Sequence, residues 1–455
     1  MDLALPNAQE LWFLPLGGTG EIGMNMNLYG HSQSWLMVDC GATFQSPLNP
    51  DDDNRPGAKL HDVVAPDPSF IENRKDSLCG LVLTHAHEDH IGAVTALWPS
   101  LGCPIYATAF TAEVLKRKFY QKGRYENLPI VIIEQNTTLD IGPFTVSWLD
   151  ITHSLPEPQA IKITTALGSI FHTADWKIDS QPVIGKPFNR DIFKNMAADN
   201  IIAMVCDSTN ALKPGYSRSE KACEKGLGNI ISRAKGRVVV SCFASNVARL
   251  ITLVKIANNS NRYAALFGRS LENMVSVARR CGYWPDDLKL THRRHIGYLP
   301  PHEVMIIATG SQGEPRAGLA KLAANEHRDC DLDEGDTVIF SSIVIPGNEK
   351  PIANIVSKLK SRNIEVFQSE HCDEVIHASG HPNQGDLHDM YQFVKPQIAI
   401  PVHGEAEHMR ANAEVAKAAG VTKQLLGKNG DLFILRQNVS IKRNYVSSGR
   451  IAIEN

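Results

Sequence analysis

The 455-residue chain has no stretch approaching the roughly 20 consecutive apolar residues that a membrane span requires. Its opening, MDLALPNAQELWFLP, lacks the basic stretch, apolar run and cleavage site of a secretory leader, so a cytoplasmic location and no membrane partner are expected. There is no C-x-x-C pair among the nine cysteines, which excludes a zinc ribbon or a dithiol redox motif; scattered singly and odd in number, they are expected to be buried and reduced. Excess charge is missing too. With 46 Lys and Arg against 49 Asp and Glu, the net charge of −3 argues against broad electrostatic attachment to nucleic acid, so any such partner must be held by local charge. Internal repeats and low-complexity tracts are also absent. What remains is a globular composition, 43% hydrophobic and 21% charged, in a chain long enough for two domains or for one carrying a large insertion.

Two rhythms run along it. The first third reads as short strands (LWFLPLG, MNLYG, SWLMVDCG, CGLVLT, PIYAT, FTVSWLDIT, GSIFHTAD) rich in branched and aromatic residues and bounded by turn formers. From about Ser208 to Ser369, strands such as RVVVSCF, RYAALFG, VMIIATG and TVIFSS alternate with helical segments such as NVARLITLVKIAN and IANIVSKLK. That alternation predicts a parallel sheet covered by helices. Helix LHDMYQFV, strand QIAIPVH, helix EHMRANAEVAKAAG and a tail of a few short strands follow. The expected division is 1–207, 208–369 and 370–455, the outer two segments forming one unit interrupted by the middle one.

The strongest chemical signal is His85-Ala86-His87-Glu88-Asp89-His90, placed between the buried strand CGLVLT and the helical IGAVTALW. Imidazoles and carboxylates at this density suit zinc or a similar borderline metal, and a cysteine-free set leaves room for bound water. Further ligands are expected where apolar strands end in His or Asp: Asp39, His153, Asp175, Asp207 and His403. Active sites of sheet-based folds gather at one end of the strands, so these termini can converge. His85, His87, Asp89, His90, His153, Asp175 and His403 make seven groups, a set that suits two metals sharing one carboxylate. Two metals roughly 3.5–4 Å apart can hold a bridging hydroxide and clamp both oxygens of a phosphoryl displacement, which favours phosphodiesters over simple amides. Gly18-Thr19-Gly20-Glu21-Ile22-Gly23 fits the dinucleotide pattern G-x-G-x-x-G, but the strand-like Met24 to Tyr29 follows where a helix is needed.

The H-x-H-x-D-H run, together with THSLP, HTADWKID, CDSTNA, ATGSQGEP, SGHP and PVHGE, closely resembles the ribonuclease J family, in the β-CASP branch of the metallo-β-lactamase superfamily, from about Leu14 to Leu426. The resemblance implies an α/β fold, a metallo-β-lactamase αββα sandwich interrupted by an inserted α/β β-CASP domain with a mainly parallel sheet. It implies one zinc on His85, His87, His153 and Asp175 and a second on Asp89, His90, His403 and the shared Asp175, with Mn²⁺ as an alternative to Zn²⁺. Asp39 would orient a ligand histidine. Asp207 and His381 would face the metals from the insertion, His381 protonating the departing 3′ oxygen and needing an acidic neighbour to stay partly protonated near neutral pH. His377, Ala378, Ser379, Gly380 and His381 are expected to cradle a phosphate at the N-terminus of the helix that follows.

The implied activity is RNA cleavage, internal and stepwise from the 5′ end, on single strands with a 5′ monophosphate favoured. Action on DNA is the competing reading with the same fold and metals. Family members usually carry a further C-terminal domain of the order of a hundred residues that supports dimerisation; this chain is expected to lack it, which leaves a homodimer open. The family's HTGD stands here as His172-Thr173-Ala174-Asp175, without loss of a ligand.

Overall fold

The computed structural model describes residues 5–52, 57–123, 128–345, 347–436 and 438–454. Two sheets face each other. The first has eight strands in the order Ser440–Lys442, Leu432–Ile434, Trp12–Gly17, Met26–His31, Ser34–Val38, Leu78–Val82, Ile105–Ala107 and Ile130–Ile132. The second has seven, in the order Lys423–Gln424, Ile398–Val402, Ile201–Asp207, Gly168–His172, Gln159–Thr165, Phe144–Asp150 and Thr138–Ile141.

Strand periodicity explains the layering, because successive side chains point to opposite faces. Phe13, Tyr29, Leu36, Val38 and Val82 of the first sheet pack between the sheets with Val146, Ile161, Ile170, Val205 and Ile400 of the second. Trp12, Leu14, Leu28 and Met37 turn outward onto Leu97, Phe110 and Leu115 of helices Val94–Leu101 and Ala109–Gln121. Phe171, Met204 and Ala399 turn outward onto Leu387, Tyr391 and Ala416 of helices Gln384–Val394 and Ala406–Ala418. The result is the αββα sandwich expected from the sequence.

The chain leaves the second sheet after Ile201–Asp207 and returns to it at Ile398–Val402, and those two strands pair in parallel. Between them lies a separate five-stranded sheet in the order Tyr263–Phe267, Val304–Ala308, Val238–Ser241, Thr337–Phe340 and Glu365–Gln368, parallel throughout. Helices Ala222–Arg233, Val247–Asn259, Arg269–Arg280, Gly318–Ala323 and Glu349–Lys360 alternate with its strands, as the rhythm predicts.

Two features differ from the sequence reading. Helix Ala109–Gln121 lies in the stretch read as sheet-dominated, although its buried Phe110, Val114, Leu115 and Phe119 recur at helical spacing. Strand Gln159–Thr165 was not foreseen. The tail has the few short strands expected of it: Leu432–Ile434 pairs with Trp12–Gly17, putting Phe433 in the inter-sheet core, and Arg450–Ala452 pairs with His61–Pro66. Cysteines 40, 103, 206, 223, 242 and 330 are buried as expected, whereas Cys79, Cys281 and Cys372 are only half-buried. No helix of the described residues is long and apolar enough to cross a membrane.

Candidate metal centre

Strand ends deliver the polar groups. Asp39 follows Ser34–Val38, Thr84 and His85 follow Leu78–Val82, Asp175 follows Gly168–His172, Asp207 ends Ile201–Asp207 and His403 follows Ile398–Val402. The turn after Asp39 fits against the histidine run because residue 41 is glycine: a Cβ there would lie 1.7 Å from the Asp89 carbonyl oxygen. The backbone N–H groups of Asn25, Cys40 and Ala42 donate to the carbonyls of Asp89, His90 and Glu88, fixing the run from behind. Gly18, Gly20 and Gly23, at φ of 82°, 89° and 95°, link two antiparallel strands, and the Gly18 carbonyl accepts from His403 N–H at 2.6 Å. With no helix after them, they form no dinucleotide cradle.

The expected ligands fall into two adjoining clusters, His85, His87, His153 and Asp175, and Asp89, His90, His403 and Asp175. In the first, His87 Nδ1 lies 3.1 Å from both His85 Nε2 and His153 Nε2, and Asp175 Oδ2 lies 3.7 and 3.8 Å from those two nitrogens. Ligands about 2.0–2.1 Å from a tetrahedral zinc stand roughly 3.3 Å apart, so this spacing fits one ion. In the second, His90 Nε2 lies 3.3 Å from Asp175 Oδ1 and 3.5 Å from Asp89 Oδ2, and His403 Nε2 lies 3.1 Å from Asp89 Oδ2. Asp175 Oδ1 is buried without a hydrogen-bond partner, a costly state for a carboxylate oxygen unless a cation meets it.

The far ring nitrogens are committed elsewhere, which aims the near ones inward. His153 Nδ1 sits 2.7 Å from the Gly380 carbonyl, and His85 Nδ1 and His403 Nδ1 meet the hydroxyls of Thr84 and Thr209 at 3.0 and 2.9 Å. His90 Nδ1 sits 2.7 Å from Asp39 Oδ2, while Asp39 accepts from the Thr84 N–H and hydroxyl. Asp39 therefore lies where a carboxylate orienting His90 would stand.

Burial holds His85 and His153 well below the usual imidazole range and brings His87 down to about 4, so all three are neutral, the form that ligates. At His90 burial pulls the same way, but Asp175, Asp89 and Asp39 outweigh it and raise the ring well above its ordinary value. His403 is raised similarly, burial being overcome by Asp175, Asp207 and Asp89. The carboxylate-rich second cluster therefore demands positive charge.

His381 Nδ1 pairs with Asp207 Oδ2 at 2.8 Å. Burial opposes both charges, yet the pair outweighs it, raising His381 and, with a hydrogen bond from His403, holding Asp207 down to about 2. The loop from His377 to His381 reaches the same place through the Gly380 carbonyl, and Asn210 donates to the Ser379 hydroxyl at 2.7 Å and to the His381 carbonyl at 3.3 Å.

The expected help from a helix N-terminus is corrected. Helix Gln384–Val394 starts beyond the loop, where Gln384 and Gly385 N–H donate to the Lys213 and Gly215 carbonyls and an Asn383–Asp386 capping box takes the next amide. Ala378 is buried, and His377 lies outside the metal-ligand clusters; burial, then Arg249, Lys213 and Lys177, bring its ring down to about 3. Sequence reasoning missed Asn25, Thr84, Thr209 and Asn210, whose small polar side chains give no signal until the fold brings them to the ligands.

Residues 20–184 match the metallo-β-lactamase superfamily, 235–359 the ribonuclease J β-CASP domain, and 371–425 the Zn-dependent metallo-hydrolase RNA specificity domain. Ribonuclease J of Sinorhizobium meliloti is 42% identical over 97% of this chain and 77% of its own length. That of Mycolicibacterium smegmatis is 36% identical over 93% and 75%, and that of Corynebacterium glutamicum 36% over 93% and 58%. The crystal structure of a protein of unknown function from Enterococcus faecalis V583 superposes with a TM-score of 0.64 at 15% identity, covering 93% of this chain and all of that one, a likeness of fold alone. On these matches the chain belongs to the ribonuclease J family of β-CASP metallo-β-lactamase proteins.

Proposed function

We propose that the protein is a two-metal ribonuclease that hydrolyses RNA phosphodiester bonds, as a 5′-to-3′ exonuclease and an endonuclease. The observation that carries this reading is Asp175, whose two oxygens face separate histidine and aspartate clusters while the His381–Asp207 pair stands beside them. His85, His87, His153 and Asp175 would hold one Zn²⁺, and Asp89, His90, His403 and Asp175 the other, with Mn²⁺ as the alternative occupant. Bound there, the ions supply a nucleophile at neutral pH and stabilise charge on the phosphoryl group.

The chain's own groups serve the rest of the reaction. His381, whose ring Asp207 raises above its ordinary value against the pull of burial, would give its proton to the 3′ oxygen as the P–O bond breaks, leaving a 3′ hydroxyl and a 5′ phosphate. Ser379, oriented by Asn210, and the backbone of residues 377–381 would hold the phosphate without help from a helix dipole. Asp39 and the threonine hydroxyls orient the ligand imidazoles. The proposed division is 1–207, 208–369 and 370–455, with Asp207 just before the inserted segment and His381 soon after it.

The test is hydrolysis of a 5′-monophosphorylated, 5′-labelled RNA with Zn²⁺ or Mn²⁺, beside a DNA strand of the same sequence and a His85→Ala/His87→Ala variant. Metal-dependent release of labelled mononucleotide from RNA, lost in the variant, is expected. Cut DNA beside intact RNA would move the assignment to DNA processing, and no cleavage of either would sink the catalytic reading.

A further inference from the structure

Arg249, in the first turn of helix Val247–Asn259, is fully buried, although no ligand or metal group lies on that helix. Such a charge is tolerated inside a protein only when paired and hydrogen-bonded throughout. Its Nε and Nη2 donate to the two oxygens of buried Glu220, at 2.5 and 3.1 Å. Nη1 donates to the Ser341 carbonyl at 3.0 Å, to the Ser341 hydroxyl, and to the Ile376 carbonyl at 3.1 Å. The Ser341 hydroxyl in turn donates to the same Ile376 carbonyl at 2.6 Å. Ile376 is the residue immediately before the loop from His377 to His381.

The other side of the pair leads to the metal ligands. Glu220 N–H donates to Asp179 Oδ2 at 3.0 Å, and Asp179 N–H donates to the Thr152 hydroxyl at 3.2 Å. Thr152 immediately precedes His153, and its hydroxyl donates to the carbonyl of Lys177, two residues beyond Asp175. A continuous buried polar network therefore joins the insertion to both walls of the site, and those walls meet where the Gly380 carbonyl accepts from His153.

We infer that Arg249 is a positioning residue: through Glu220, Ser341 and Ile376 it sets the loop that presents His381 against the segment that presents His153. The catalytic half of this inference rests on the proposed role of His381; the positional half stands on the hydrogen bonds alone. Lysine at 249 cannot reproduce the bidentate grip on Glu220 together with the reach to two carbonyls.

Hydrogen exchange of the peptide covering Ile376–His381, metal content, and kcat and KM on RNA test it, in full-length Arg249→Lys and Ser341→Ala. The second is the milder change, leaving the Arg249–Glu220 pair in place. Arg262→Lys is the control, because that buried arginine holds the Ala234, Gly236 and Val304 carbonyls within the insertion, away from the loop. Faster exchange of the peptide is expected in both test variants and not in the control, with metal content retained. With it, kcat should fall about ten- to a hundredfold while KM stays nearly constant, the signature of a misplaced catalytic group. Peptide protection equal to wild type in both test variants would overturn the inference. If the wild-type protein cleaves no RNA, the proposed function falls, and the exchange measurement alone decides the positional claim.

Discussion

Asp39, Ala174 and His403 share an uncommon backbone: φ is 63°, 51° and 51°, in the left-handed region. That conformation costs a non-glycine residue roughly 1–2 kcal/mol, and at these strand ends it turns the chain so that a polar side chain faces the metal clusters. Asp39 shows the consequence for chemistry. Replacing it by Asn keeps the volume but puts an amide where a full carboxylate now receives His90 Nδ1 and the Thr84 groups. Asp39→Asn is expected to weaken metal binding about ten- to a hundredfold with the fold intact, measured by competition with a chelator. Wild-type affinity in that variant would show that His90 needs no carboxylate to orient it.

At the scale of single elements, what carries the site is the short loop beyond a strand. Gly380 packs so tightly on His153 that an added Cβ would come within 2.4 Å of the ring Cε1 and 2.6 Å of Nδ1. Neither partner can yield easily, because the ring is also bound to the Gly380 carbonyl. Gly380→Ala is therefore expected to lower RNA cleavage by about a hundredfold or more while leaving circular dichroism unchanged. Near-normal activity would mean that the loop and His153 move independently.

Much of this was legible in the sequence, and the reason is local. An apolar run ending in His or Asp reports both a strand and its polar end, so Asp39, His153, Asp175, Asp207 and His403 could be picked out before any contact was known. The helix alternation of the insertion was readable for the same reason. Partner choice was not: that Thr84 serves Asp39, or Arg249 joins Glu220 to Ile376, depends on segments far apart in the chain. The helix-based phosphate cradle failed because the capping of Gln384–Val394 is settled by Lys213 and Gly215, in a loop that crosses over from the start of the insertion.

Across the whole molecule, the site exists only because distant parts of the chain close on one another. His403 arrives after the insertion has returned to the sheet, and Asp175 receives groups from both halves of the sandwich. Phe433, near the end of the described chain, seals the same inter-sheet core that holds Phe13 and Tyr29. The neutral imidazoles of one cluster and the charge-seeking carboxylates of the other suit two bound cations, one on each side of Asp175.

The most direct measurement is the metal content of the purified full-length protein by elemental analysis after equilibration with Zn²⁺ or Mn²⁺, compared with the Asp175→Ala variant. Two tightly held ions per chain, with both sites weakened when the shared carboxylate is removed, are expected from the geometry. A single ion, or none, in the wild-type protein would contradict the two-metal centre.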